Sequence, residues 1–243
     1  MKFLNIDSPL MVFLGKVADL MWVNILTLIL CIPIVTAGAA FTAMHYVCLK
    51  IVRDEECYIT KSYFKSFKEN FGQATVLWLL MLLVVLIFIG DFYLILNKLV
   101  NLPSWTNMLL LGVALLVMLV MIMIFPVQAK FANPIRGTIK LTTAVAIAQL
   151  PRTFAYLVLM VVPFVLGYMF YQVIPIVFLF GFSVPAYVGA MLYNKTFKKI
   201  EDRYMEEHPE EQPQEEEDDG VRIFSDAPIL PDADEGAKDG DKA

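Results

Sequence analysis

The chain has 243 residues, of which 58% are hydrophobic and 18% are charged, and its mean hydropathy is +0.65. Soluble domains average roughly 45–50% apolar and about 25% charged residues, so this composition excludes an ordinary soluble domain, and the three cysteines exclude a disulfide-rich secreted scaffold. The charge is divided unevenly, because residues 1–200 hold 15 Lys and Arg against 7 Asp and Glu, whereas residues 201–243 hold 4 against 17. These features predict an all-α polytopic transmembrane helical bundle with interfacial cytoplasmic helices and an acidic tail.

Long uncharged intervals give the positions of the membrane spans. A helix needs about 20 apolar residues to cross about 30 Å of hydrocarbon. Uncharged intervals of sufficient length begin after Asp19, Glu69, Lys98 and Arg152, and the last of them is long enough for two crossings. We therefore predict five spans, at about 20–41, 74–95, 105–127, 153–171 and 174–194.

A sixth span at 131–150 is the main alternative. Its longest uncharged piece, 141–150, has only ten residues, which is half of a crossing. We predict a cytoplasmic or interfacial helix there.

The first uncharged interval, 20–49, contains a candidate helix break at Pro33 and Gly38. Thirty residues would extend about 45 Å as one straight helix, so a kink or a break is expected. Gly38 with Thr42 gives the small-xxx-small spacing that lets helices approach closely. Helix packing is the simpler interpretation, and a broken helix that lines a substrate path is the alternative.

The basic residues predict the orientation. Lys and Arg concentrate at 50–73, at 130–152 and after 194, and such segments lie on the cytoplasmic side of a plasma membrane. With five spans, this pattern predicts an outside N-terminus and a cytoplasmic C-terminus, although Lys2 and Lys16 favour the opposite side for the N-terminus.

The first basic loop contains an amphipathic stretch that is a candidate docking surface. At 100° per residue its aromatic side chains fall on one arc of a helix and its lysines on the adjoining arc. Such a helix either rests on an anionic membrane surface or binds a partner. The candidate residues are Tyr63, Phe64, Lys65, Phe67, Lys68 and Phe71.

Two ionisable residues lie near span interiors, Asp91 and His45. Asp91 comes 18 residues after Gln73, which favours the outer interface, and an ion or substrate contact is the alternative. His45 lies five residues before Lys50 and is interpreted as an inner-surface residue rather than a proton relay.

The C-terminal segment is acidic, and Glu215-Glu-Glu-Asp-Asp219 is its densest part. Segments of this composition cannot bury enough apolar surface to fold alone. We predict an integral membrane domain over 1–205 and a disordered tail over 206–243.

The motifs of common enzyme classes are absent from the sequence, which has no GxxxxGK phosphate loop, no HExxH and no GxSxG. His45 and His208 are its two histidines, and no Cys/His cluster with metal-ligand spacing occurs. We therefore predict that the protein is not an enzyme and that it has no catalytic residue, cofactor or metal site. The bilayer is its expected environment, and nucleic acid is not an expected partner.

Three segments resemble a known family. They are Leu30-Cys-Ile-Pro-Ile-Val-Thr-Ala-Gly-Ala-Ala40, Phe64-Lys-Ser-Phe-Lys-Glu-Asn-Phe-Gly-Gln73 and Ala148-Gln-Leu-Pro-Arg-Thr153. Over about residues 3–200 the chain is similar to the YesL-like family of bacterial integral membrane proteins (domain of unknown function family 624). Members of that family are often encoded near carbohydrate importers and glycan-degrading enzymes, so the resemblance implies an accessory role in carbohydrate uptake or utilisation.

Two functions are consistent with these features. The first is a non-catalytic accessory protein that docks on an ABC-type sugar importer through its cytoplasmic loops. The second is a small permease that moves a solute through its own helical bundle, which would have to form a homo-oligomer because internal repeats are not visible.

Overall fold

The computed structural model describes residues 9–55, 58–97, 103–131 and 133–207, and all regular structure in these ranges is helical. The all-α fold class is therefore confirmed. The predicted tail lies outside the described residues from residue 208 onward. The helices are α1 (Pro9–Leu30), α2 (Ala37–Val52), α3 (Ile59–Leu96), α4 (Ser104–Lys130), α5 (Ile135–Ala148), α6 (Leu150–Met169), α7 (Ile174–Phe180) and α8 (Ser183–Glu207).

Five helices in the described ranges are long and apolar enough to cross a membrane, namely α1, α2 with its preceding turn, α3, α4 and α6. The pair α7 and α8 qualifies together and is bent by 57°, which raises the count to as many as six. The predicted spans 74–95 and 105–127 lie within α3 and α4, and the last two correspond to α6 and to the bent pair. The 14-residue α5, which covers most of the 131–150 segment, does not qualify.

The single predicted span over 20–41 is wrong, because two helices share this segment. α1 ends at Leu30, a short 3₁₀ turn covers Ile34–Thr36, and α2 begins at Ala37. Pro33 precedes the turn with an extended backbone, and proline cannot donate the N–H that a continuous helix needs. The Thr36 hydroxyl donates to the carbonyl oxygens of Leu30 and Pro33, which fixes the turn.

α1 and α2 form an antiparallel hairpin. The Lys16 Nζ atom lies 2.5 Å from Asp54 Oδ1, which joins the start of α1 to the residues that follow α2. The Trp22 Nε1 atom donates to Thr60 Oγ1 over 2.9 Å, so the beginning of α3 packs against the second half of α1. The predicted outside N-terminus depended on a single crossing between the start of α1 and the end of α2.

α3 is one continuous helix of 38 residues, about 57 Å long. The sequence predicted a loop with a separate interfacial helix before a span at 74–95, and that separation is wrong. Gly72 lies at the expected boundary, but it is exposed within the helix. The lysine-containing stretch is therefore the rigid first third of a spanning helix.

α2 lies at the centre of the bundle and packs against α1, α3, α4 and α8. Of the residues in its spanning window, 78% are buried. Its first turn contains Gly38, where a Cβ atom would lie 2.6 Å from the Cβ of Trp78 on α3. The absence of a side chain at this position therefore lets the two helices approach closely.

The bend between α7 and α8 is stabilised by a side chain of α1. Asn24 is fully buried, and its Nδ2 atom donates to the Phe178 carbonyl oxygen over 2.8 Å. Its Oδ1 atom accepts from the backbone N–H groups of Phe182 and Ser183, each at 3.0 Å. A helix break inside a bilayer needs such partners, because lipid cannot satisfy the freed backbone groups.

Candidate functional site

The first turns of α3 carry the predicted docking residues, and the structure divides them between two faces. Tyr63 is fully buried, and its hydroxyl lies 3.0 Å from Thr27 Oγ1 and donates to the Ala40 carbonyl oxygen over 3.1 Å. It therefore connects α3 to α1 and α2 and cannot contact a partner. Phe67 is half-buried and packs against the same core.

The remaining residues form an outward surface. Phe64 and Phe71 are exposed by 37% and 39%, and Lys68 is exposed beside them, with Lys65 half-buried. Lys61, one turn earlier, is also exposed. We call Lys61, Phe64, Lys65, Lys68 and Phe71 the lysine–phenylalanine surface.

The inner face of the same turns is buried against the bundle. Ser62 and Ser66 are buried, and Asn70 Nδ2 donates to the Ser66 carbonyl oxygen within α3 over 3.0 Å. One turn on, Gln73 Nε2 donates to the Asn133 carbonyl oxygen over 2.6 Å, which connects α3 to the junction of α4 and α5. The lysine–phenylalanine surface is thus held rigidly against the bundle.

A second polar group lies inside the bundle, around His45. The structure buries this residue, which sequence analysis placed at the inner surface. Its Nε2 atom lies 3.2 Å from the hydroxyl of Tyr156 on α6, and its Nδ1 atom lies 3.3 Å from the hydroxyl of Tyr193 on α8. A neutral imidazole has one N–H donor and one acceptor nitrogen, so one tyrosine donates to it and the other accepts. We call these three residues the histidine–tyrosine cluster.

A charged network joins the ends of three helices. The Glu201 carboxylate of α8 lies 2.6 Å from Lys130 Nζ on α4 and 3.3 Å from Arg53 Nη2 at the end of α2. Arg53 Nε also donates to Asn194 Oδ1 over 2.9 Å. Burial lowers the pKa of Arg53 from its ordinary value, and the neighbouring Glu55 opposes that effect. Arginine stays protonated at physiological pH despite such a shift, so the network is held by charge.

Residues 20–92 match the model of a family described as a protein of unknown function, DUF624. The predicted resemblance is confirmed over this part of the chain. Comparison with curated proteins and with solved structures gives no match. The DUF624 segment contains the second half of α1 and all of α2, and it ends within α3.

The DUF624 segment contributes residues to each feature described above. It contains the whole lysine–phenylalanine surface, and it contributes Asn24, His45 and Arg53, whereas their partners on α6, α7 and α8 lie outside the match. Among the described residues, no group of three His, Cys, Asp or Glu side chains is arranged to hold a metal ion. The interior polar groups connect helices, and the exposed residues on α3 offer a contact surface.

The structure also locates the other residues that the sequence singled out. Pro33 lies in the exposed turn of the hairpin between α1 and α2, so this break does not line an interior path. Gly38 lies within α2 at the contact with α3. Asp91 is half-buried in the last two turns of α3.

Sequence reasoning did not find Tyr156, Tyr193 or Glu201. The two tyrosines lie in apolar segments far apart along the chain, where an aromatic residue carries no distinctive signal. Glu201 lies within α8 but begins the acidic 201–243 stretch of the charge count, so its charge drew no separate interpretation. Its spacing gives the one available clue, because Glu201 lies eight residues after Tyr193 and therefore close to the same helix face.

Proposed function

We propose that this chain is a non-catalytic integral protein of the plasma membrane that acts as an accessory component of carbohydrate uptake or utilisation. In this proposal it docks on an ABC-type sugar importer through the lysine–phenylalanine surface. The observation that carries the proposal is the rigid extension of α3, which presents two exposed phenylalanines edged by lysines at the basic end of the bundle.

The length of α3 supports a docking function. The helix is about 57 Å long, whereas the hydrocarbon core of a bilayer is about 30 Å thick. The part beyond the hydrocarbon is the lysine-containing start, because the stretch from Asn70 to Gly90 carries no charge. A preorganised surface binds with little loss of side-chain and backbone entropy.

The carbohydrate part of the proposal depends on the family resemblance alone. Family members are often encoded beside carbohydrate importers. An importer lies in the same membrane as this protein, so the lysine–phenylalanine surface can contact it there. The charge of the surface favours an acidic patch on the importer.

We further propose that both ends of the described chain lie on the cytoplasmic side. The ion pair between Lys16 and Asp54 supports this arrangement, because it brings the start of α1 to the end of α2 and the basic start of α3. The basic segments favour the cytoplasm, and an even number of crossings returns the chain to that side. This arrangement revises the outside N-terminus that the sequence predicted.

Site-specific photocrosslinking in native membranes tests the docking proposal. A benzophenone amino acid at Phe64 or Phe71 is expected to form an adduct with an importer subunit that mass spectrometry identifies. The same probe at Phe92, which is 55% exposed near the opposite end of α3, is the matched control. Adducts with lipid alone at Phe64 and Phe71, or the same protein adduct at Phe92, would contradict the proposal.

The alternative is a small permease that works as a homo-oligomer, and the histidine–tyrosine cluster is the observation that favours it. Intramembrane ionisable residues often mark solute or proton pathways. Sugar uptake into proteoliposomes that contain only this protein tests the alternative. Uptake that His45→Phe abolishes would support the permease, and uptake only when the importer is present would support the accessory function.

A further inference from the structure

An open groove lies in the apolar surface between α3, α4, α5 and the start of α6. Its volume is about 400 Å³, within the range of about 300–1,000 Å³ that is typical of ligand sites. Its walls are aliphatic, and the Thr143 hydroxyl on its lining donates to the Ile139 carbonyl oxygen over 2.8 Å. The lining includes Leu80 and Val84 of α3, Leu116 and Val120 of α4, and Ile139 and Ile147 of α5.

The groove opens toward the surrounding membrane. Leu80, Leu116 and Ile147 on its lining are exposed by 43%, 52% and 59%. In a membrane-spanning bundle such a surface faces acyl chains rather than water. A chain of methylene groups is the ligand that fits these walls.

Two cations lie on α5 within one helical turn of Ile139, a residue of the groove lining. Arg136 and Lys140 are both exposed on α5, and the sequence of α5 contains no carboxylate. At 100° per residue, Arg136 projects between the directions of Ile139 and Ile147, which line the groove. Arg136 belongs to the first turn of α5, six residues after Lys130, the charged end of α4.

We propose that the groove binds one anionic phospholipid, with an acyl chain along the aliphatic walls and the phosphate group against Arg136 and Lys140. A basic residue at the level of the headgroups attracts anionic lipid, and an adjoining apolar groove retains the chain. The two parts together give a preference for anionic over zwitterionic lipid of the same chain length. This site lies apart from the lysine–phenylalanine surface and does not depend on the proposed function.

Native mass spectrometry of the delipidated full chain in detergent tests the site. Titration with phosphatidylglycerol is expected to give one bound lipid per chain at concentrations where phosphatidylcholine with the same acyl chains does not bind. The double variant Arg136→Gln/Lys140→Gln is expected to weaken phosphatidylglycerol binding about 25-fold, about fivefold for each cation, and to leave phosphatidylcholine binding unchanged. Val120→Phe, which fills the groove, is expected to weaken binding of both lipids.

Two matched variants serve as controls. Lys195→Gln/Lys199→Gln removes the same charge from exposed positions on α8, and Val113→Phe adds the same ring at a 43% exposed position on α4 that is not on the groove lining. Both controls are expected to bind phosphatidylglycerol like the unchanged protein, which would support a defined site. Equal binding of the two lipids, or an equal loss in the α8 variant, would overturn it. A dimer that Val120→Phe dissociates would also overturn it, because a second copy would then occupy the groove.

Discussion

α2 and α3 are neighbours within the DUF624 segment, but they are surrounded by different environments. In the spanning window of α2, 78% of residues are buried, whereas none are buried in the window of α3. The spanning window of α3 is nevertheless the more apolar of the two. In a bilayer the most apolar helix faces lipid, and a helix with small and polar residues packs inside the protein. High hydropathy thus identifies the outside of this bundle rather than its core.

This comparison predicts that a larger side chain is tolerated on α3 and not on α2. Gly38→Leu would bring a side chain against Trp78 and the Ala74 backbone, so we expect α2 and α3 to separate. The expected loss is about 3 kcal/mol or more in the free energy of unfolding, seen as loss of the monodisperse peak in detergent. The matched change Gly90→Leu, on α3 with no atom within 4 Å, is expected to leave that peak intact. Equal behaviour of the two variants would contradict the comparison.

A second test concerns the polar groups that α1 supplies to the interior. Asn24→Leu removes the partner of one carbonyl and two N–H groups at the bend between α7 and α8. We expect a loss of about 2–3 kcal/mol, because buried backbone groups are left without partners. Thermal unfolding in detergent micelles measures it. Asn107→Leu, at an exposed position near the start of α4, should unfold at the same temperature as the unchanged protein.

The histidine–tyrosine cluster allows a test at the centre of α2. His45→Phe keeps a ring of similar size but leaves the hydroxyls of Tyr156 and Tyr193 without their partner. We expect a loss of about 1–2 kcal/mol in the same unfolding measurement. The double variant Tyr156→Phe/Tyr193→Phe removes those hydroxyls, and adding His45→Phe to it should cost less than adding it to the unchanged protein. Additive losses would show that the three residues act independently.

The sequence predicted the helical membrane fold because a helix must have a long uncharged segment to cross the hydrocarbon of a bilayer. It also indicated a break at Pro33, but not that the chain turns back there, since an uncharged run has the same composition whether it continues or reverses. The sequence did not predict which distant helices pack against each other. The positions of His45 and Glu201 depend on which helices become neighbours, and one sequence does not give that information.

The smallest expected effect tests the lipid-facing side of the comparison. Leu86 of α3 is 64% exposed, and Leu49 of α2 is 1% exposed. Leu86→Ala leaves no internal cavity, because lipid chains fill the space, so we expect a change within about 0.5 kcal/mol. Leu49→Ala leaves a cavity among Met123, Val127 and other residues of the same core cluster, and we expect a loss of about 2 kcal/mol or more. Both are measured by thermal unfolding in the same detergent. An equal loss of unfolding free energy in Leu86→Ala and Leu49→Ala would show that protein rather than lipid covers α3. A partner that buries this face would then contact the whole helix rather than its lysine-containing end alone.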